Sequence, residues 1–176
     1  MTPSPAFREA VALILKHEGG FTDDPKDPGN WTGGKVNVGQ LKGTKFGISS
    51  LAYPTENIPG LTVDRAKELY HRDYWLPIRG DELPPAVALV TFDGAVNCGV
   101  GAAIRFLQRA LGVEDDGKIG PVTLAKVKAA NALDVAVRCG RHRVRYYTKL
   151  STFDRYGDSW LQRTIETVAV AAKAFG

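Results

Sequence analysis

The sequence predicts an α+β fold that is mainly helical, with one small β-containing region early in the chain. Three observations predict it. Apolar residues recur at helical spacing over most of the chain. Residues 21–44 instead crowd Gly, Asp, Pro and Asn together, which no long helix tolerates. Apolar residues make up 44% and charged residues 24%, a globular balance that excludes a disordered chain.

The first helix is expected over Pro5 to His17. Ser4 is its N-cap, Pro5 opens it, and Phe7, Ala10, Val11, Ile14 and Leu15 form its apolar stripe. Gly19 and Gly20 stop it, leaving Glu18 at its C-terminal end. Loops with a small hairpin or irregular ribbon around Lys35 to Leu41 are expected next, and Gly47 to Leu51 begins another short element. A helix over Thr62 to Tyr74 is capped by Thr62 and shows Val63, Ala66, Leu69 and Tyr70 on one face. Leu76 to Pro85 is a connector. Pro85 to Leu111 reads as helix broken near Gly99 to Gly101, and Val113 to Gly120 as a loop. Helices follow at Pro121 to Ala130, Ala132 to Leu150 and Asp158 to Phe175.

The net charge of +4 and pI near 9.1 favour polyanionic surfaces without choosing among them. Two cysteines, Cys98 and Cys139, make no disulfide framework; free thiols are expected, with Cys98 a small buried side chain. The N-terminus lacks the basic segment and long apolar core of a secretory signal. The longest apolar region, Ala86 to Ile104, contains Asp93 and Asn97 and reads as a buried helix rather than a membrane span.

The chemistry-bearing residues cluster early. Glycoside hydrolysis needs a carboxylic acid that protonates the departing oxygen and a carboxylate that activates water or stabilises the cationic centre. Glu18, at a helix C-terminus among apolar residues, suits the acid, because desolvation and the helix dipole both favour its protonated form. Asp27, on a solvated loop, suits the carboxylate, and Thr44 can share in holding water. Asp23 and Asp24 compete with Asp27, and Thr32 competes with Thr44. No metal or organic cofactor is implied. His17-Glu18 fails the zinc-protease pattern because Phe21 stands where the second His belongs. The run Asp23 to Asp27 lacks the alternation of a calcium loop.

Several secondary features carry two readings. Asn97, and less so Asp93, either lines a substrate groove or satisfies helix packing. Trp31, Tyr53, Trp75 and Trp160 are sugar-stacking candidates; Trp31 is the best placed, with a core or hinge role as its alternative, and Trp160 is expected to pack in the final helix. Asp115 to Lys118 reads as a turn in which Gly117 supplies positive φ, against a wall-recognition loop. Arg138, Arg141, Arg143, Arg145 and Lys149 form a basic helix, read as a solvated face, against a grip on an anionic envelope or nucleic acid.

The string HEGGFTDDPKDPGN, with TKFGIS downstream, resembles the N-terminal signature of glycoside hydrolase family 108. The stretch FDGAVNCGVGAAIRFLQRALGVEDDGKIGPVT resembles the predicted peptidoglycan-binding region that follows that signature, and the closing RVRYYTKLSTFDRYGDSWLQR has the family's look. The resemblance implies a lysozyme-like bilobal fold: a catalytic region with a small β lobe over 1–84, and a helical region over 85–176 that completes the cleft and binds peptidoglycan. It implies an N-acetylmuramidase of the phage endolysin kind, cleaving the β-1,4 bond between N-acetylmuramic acid and N-acetylglucosamine. Glu18, Asp27 and Thr44 fall at the family's catalytic Glu, Asp and Thr, and Asn97, Trp31 and Tyr53 are the substrate-binding candidates. Inversion is expected, with the carboxyl groups about 6.5–9.5 Å apart. A non-catalytic wall-binding or phage structural module, and a chitinase-type glycosidase, are the alternatives. The expected partner of this monomer is bacterial peptidoglycan, with no nucleic acid and no stable membrane insertion. Synthesis is expected in a host cytoplasm without a signal peptide, with action on the periplasmic wall after release.

Overall fold

The computed structural model describes residues 3–175, and they are mostly helical with a single two-stranded sheet. Seven α-helices are described: α1 (Pro5–His17), α2 (Val63–Tyr70), α3 (Pro85–Cys98), α4 (Val100–Leu111), α5 (Pro121–Ala129), α6 (Ala132–Tyr147) and α7 (Phe153–Phe175). The strands are β1 (Thr44–Lys45) and β2 (Ile48–Ser49), paired antiparallel. Residues up to Ala10 and from Arg72 onward form one compact unit, and Val11–His71 form the other. No helix among the described residues is long and apolar enough to cross a membrane.

The larger unit is built on α3, whose residues Ala86 to Ala95 are all buried. Phe7, Trp75 and Phe92 meet edge to face, with ring centroids 5.3–6.0 Å apart. Such pairs stabilise by about 0.5–1.5 kcal/mol each beyond their area. The Trp75 indole N–H donates to Asp81 Oδ1 at 2.9 Å, which satisfies a polar atom that burial would otherwise strand. Gly99, at φ +85°, separates α3 from α4, as the glycines there predict.

Asp93 is the polar centre of this unit. Arg143 of α6 donates to its Oδ2, and Arg163 Nε of α7 donates to its Oδ1 at 2.9 Å. The Thr167 hydroxyl of α7 lies 3.2 Å from Oδ2, sharing its single hydrogen with the Arg163 carbonyl at 2.8 Å. Burial pushes the Asp93 carboxyl upward, but the two guanidinium groups override it and hold the group below the ordinary carboxylate range. The basic helix is therefore not wholly a solvated face. Arg143 points inward, is 1% exposed, and also donates to Tyr147 Oη at 2.8 Å. Tyr147 in turn stacks on Trp160, 4.8 Å between centroids.

Gln108 organises the loop after α4. Its amide nitrogen donates to Asp116 Oδ1 and the Lys118 carbonyl, and its oxygen accepts from Gly117 N–H. Gly117 has φ +78°, as the turn reading requires. Cys98 and Cys139 are free thiols. Cys98 is half-buried rather than fully enclosed, because it closes α3 and its thiol donates to Tyr147 Oη.

Three helices have bounds that differ from expectation: α2, α7, and α6, which ends at Tyr147 rather than Leu150. α2 ends at Tyr70 and passes into a π-helical turn, His71–Trp75. Val63 is 41% exposed, so the buried face of α2 is Ala66, Leu69 and Tyr70. α7 begins at Phe153, before the expected Asp158. Where the expectation put a cap, Ser4 Oγ does accept from Phe7 N–H, and Thr62 Oγ1 from Arg65 N–H.

Candidate functional site

The smaller unit, Val11–His71, holds the acidic constellation. α1 stops at His17, and neither Gly19 nor Gly20 adopts the left-handed conformation that a glycine cap uses. Glu18 is thus the first residue beyond the helix, and it is half-buried.

The strand pairing explains what Glu18 meets. β1 and β2 are joined by Phe46-Gly47, both at positive φ (+53° and +74°), in the register Lys45 opposite Ile48. Positive φ at both central residues gives the two-residue turn whose twist matches that of paired strands. Of the two forms expected around Lys35 to Leu41, the irregular ribbon is the one found: residues 31–41 carry one isolated bridge, Trp31 to Leu41, while the regular pairing involves the short element expected from Gly47. Three glycines between 33 and 39 explain why no regular ladder forms there.

Gly47 faces the Glu18 carboxylate. A methyl group placed on Gly47 would lie 2.7 Å from Glu18 Oε2 and would also collide with the Tyr70 hydroxyl. Tyr70, buried on α2, donates that hydroxyl to the Phe46 carbonyl at 2.9 Å. The turn is therefore clamped from α2 while its glycine leaves room for the acid.

Thr44 opens the same hairpin. Its backbone exchanges hydrogen bonds with Thr22, at 2.9 and 2.8 Å. Its side chain meets Asn30, which is fully buried. Asn30 Nδ2 donates to the Asp24 carbonyl at 3.1 Å, so Oδ1 must be the atom facing Thr44 Oγ1 at 2.7 Å. A carboxamide oxygen only accepts, and the Thr44 hydroxyl is therefore the donor. The lone pairs of Oγ1 stay available to accept a hydrogen from another group.

Asp27 caps the short 3-10 turn Pro28–Asn30, accepting from Gly29 N–H through Oδ1 at 2.8 Å. It is exposed, and the turn it caps ends on Asn30, the partner of Thr44. Asp27 and Thr44 are thereby tied through one short turn and one side chain. Two of the competing residues hold local backbone bonds, as Asp27 does. Asp24 Oδ1 accepts from Lys26 N–H at 2.9 Å, and Thr32 Oγ1 accepts from Gln40 N–H, closing the ribbon. Asp23 is exposed.

Among the binding candidates, Trp31 donates its indole N–H to the Pro25 carbonyl at 2.9 Å and is half-buried. Tyr53 is half-buried just after β2, its N–H bonded to Ser49 O at 3.0 Å. Asn97 belongs to the other unit, on the exposed side of α3, with its amide donating to the Asp93 carbonyl at 2.8 Å. That bond lies within its own helix. Sequence reasoning missed Asn30, Gly47 and Tyr70. Gly47 carried a usable signal, a glycine beside an aromatic in the short Thr-Lys-Phe-Gly-Ile-Ser segment; a fully buried Asn in an Asp-Pro-Gly-Asn turn carried none. Among the described residues, no group of three or more His, Cys, Asp or Glu side chains could hold a metal ion.

Two family models match the chain. One, described as Glycosyl hydrolase 108, matches residues 11–99; the other, described as Predicted Peptidoglycan domain, matches residues 102–167. No curated protein matches. Among solved structures, the chain is similar to SagA of Brucella abortus, at 31% identity and a TM-score of 0.80, over 96% of this chain and 94% of that one.

Proposed function

Because the chain belongs to the Glycosyl hydrolase 108 family, we propose that it is an N-acetylmuramidase, cutting the β-1,4 bond between N-acetylmuramic acid and N-acetylglucosamine in peptidoglycan. The family and the similarity to SagA support a glycosidase acting on the wall. The single observation that carries the residue assignment is the Glu18 carboxylate seated against Gly47, in a hairpin that Thr44 opens.

In this reading Glu18 protonates the glycosidic oxygen as its bond to the anomeric carbon breaks. Water attacks that carbon from the opposite face. Asp27 takes the proton from this water through the oxygen that does not cap Gly29. The Thr44 hydroxyl, already committed as a donor to Asn30, accepts a hydrogen bond from the same water and aims it. One displacement gives an inverted product, for which the two carboxyl groups need to stand about 6.5–9.5 Å apart across the bound sugar. Trp31 and Tyr53 offer aromatic faces for sugar rings on the same unit.

The test is digestion of purified Gram-negative sacculi, with products read by mass spectrometry. Reducing ends at muramic acid, absent with Glu18→Gln, are expected. Reducing ends at N-acetylglucosamine, or release of free peptide, would refute the muramidase reading. Cutting of plain N-acetylglucosamine polymers at a similar rate would make the chain a chitinase-type enzyme instead.

A further inference from the structure

A concave pocket of about 330 Å³ lies between the end of α4 and the face of α6. It is lined by Arg109, Arg138, Arg141, His142 and Arg145, with Leu111 beside them. The volume falls in the range of about 300–1,000 Å³ common for small-ligand sites. Two of the four arginines already have carboxylate partners. Arg109 pairs with Asp115, and Arg138 with Asp134 at 3.8 Å while also donating to the Ala110 carbonyl. Arg141 and Arg145 are exposed and make no side-chain hydrogen bond or ion pair among the described residues. They sit one turn apart on α6, about 6 Å along the axis.

His142 reports the local field. Partial burial first, then the charges of Arg145, Arg109 and Arg141, hold its imidazole below the ordinary value. It stays neutral near pH 7 and adds hydrogen-bonding capacity without adding charge.

The geometry points to a recognition site for peptidoglycan stem peptides, whose carboxylates Arg141 and Arg145 would grip. The inference rests on the reading that the chain acts on peptidoglycan. Two unpaired planar forks with a fixed spacing match a ligand bearing two separated carboxylates, and stem peptides carry several. An open pocket with a mostly polar, arginine-rich lining suits a short peptide bearing carboxylates. The whole pocket lies within residues 102–167, the part that matches the Predicted Peptidoglycan domain.

The experiment measures binding of the full chain, carrying Glu18→Gln to stop turnover, to two kinds of sacculi: intact, and stripped of stem peptides by an amidase. Binding to intact sacculi is expected to be about tenfold tighter, and to weaken with added salt. Adding Arg141→Gln and Arg145→Gln should bring binding to intact sacculi down to the stripped level, with no change on stripped sacculi. Both side chains are exposed, and the melting temperature should hold within about 2 °C. Undiminished binding of the double variant to intact sacculi overturns the proposal while leaving the muramidase reading standing. So does an equal loss on both materials, which would make the pocket a glycan site. Capture of the parent by phosphatidylglycerol vesicles, lost in the double variant with no loss on sacculi, would reassign the pocket to lipid phosphate. A parent that binds neither kind of sacculus overturns the proposal through its premise, and the digestion assay would then fail independently.

Discussion

Gly47 gives its bare Cα to the Glu18 carboxylate, at a turn position whose left-handed backbone favours glycine. Two constraints coincide at this position. The backbone is left-handed, which costs any side chain, and the space a Cβ would occupy is already taken by Oε2 and by the Tyr70 hydroxyl. Gly47→Ala should therefore destabilise the protein by about 1–3 kcal/mol and lower sacculus digestion by more than its loss of folded protein explains. Thermal melts and initial rates on the same preparation check this. An alanine variant with full activity per folded molecule would detach Gly47 from the acid.

Glu18→Gln, Asp27→Asn and Thr44→Val should separate by magnitude. Loss of a general acid or base costs about 10²- to 10⁴-fold in rate, and Glu18 and Asp27 should each fall in that range. Thr44→Val removes one hydrogen bond to water and should cost less in turnover. It also strands Asn30 Oδ1, a buried acceptor, at about 1–3 kcal/mol of stability. Thr44→Ser keeps both bonds and should restore both activity and melting temperature.

Asp93→Asn should destabilise the larger unit by about 3–5 kcal/mol, because Arg143 would keep its charge in a buried site without a counter-charge. The pH dependence follows from the direction of its shift. The folded-state carboxyl lies below its unfolded value, so its contribution is complete above the unfolded value of about 3.9 and fades as pH falls through the folded one. Melting curves between pH 7 and pH 2 should show the gap between parent and variant closing only at the acid end. A gap that closes near neutrality would contradict the ion pairing.

Cys139 should resist alkylation in the folded protein. Burial pushes its thiol up to about 12 and leaves it 3% exposed, so at pH 8 it offers neither thiolate nor access. Cys98 is half-buried, and its thiol is also raised, by burial against the opposing hydrogen bond to Tyr147. Mass spectrometry after native and denaturing labelling should find Cys139 modified only in the denatured sample, with Cys98 reacting first of the two.

The helical framework was legible because its signals are local. Thr62 caps α2, Pro85 and Pro121 open α3 and α5, and Gly99 and Gly112 end helices by adopting positive φ. Those preferences act within one turn and read directly from residue order. Residues 21–51 were less legible because long-range bonds hold them: Thr22 to Thr44, Asn30 to Lys42 and Gly43, Ser50 to Gly43. Short strands of two residues carry no alternation to detect. The candidate acid was visible through its Glu-Gly-Gly-Phe context, while Tyr70, which clamps the turn beside it, looked like one more apolar residue on a helix face. Arg143 misled in the opposite sense: helical spacing sets it off the Arg141, Arg145 and Lys149 stripe and on the face of Cys139 and Tyr147, but its charge read as solvated.

The carboxylate of Asp93 also sets how much of the C-terminus can be dispensed with. Arg163 and Thr167, both on α7, reach it. A frameshift or premature stop near residue 153 would thus not trim a tail; it would withdraw one of two cations and a hydroxyl from an anion already sealed away from water. Proteolytic trimming inside α7 should behave the same way, yielding insoluble material rather than a shorter active enzyme. For expression work, affinity tags and fusions at that end need a spacer beyond the last turn of the helix rather than a cut into it.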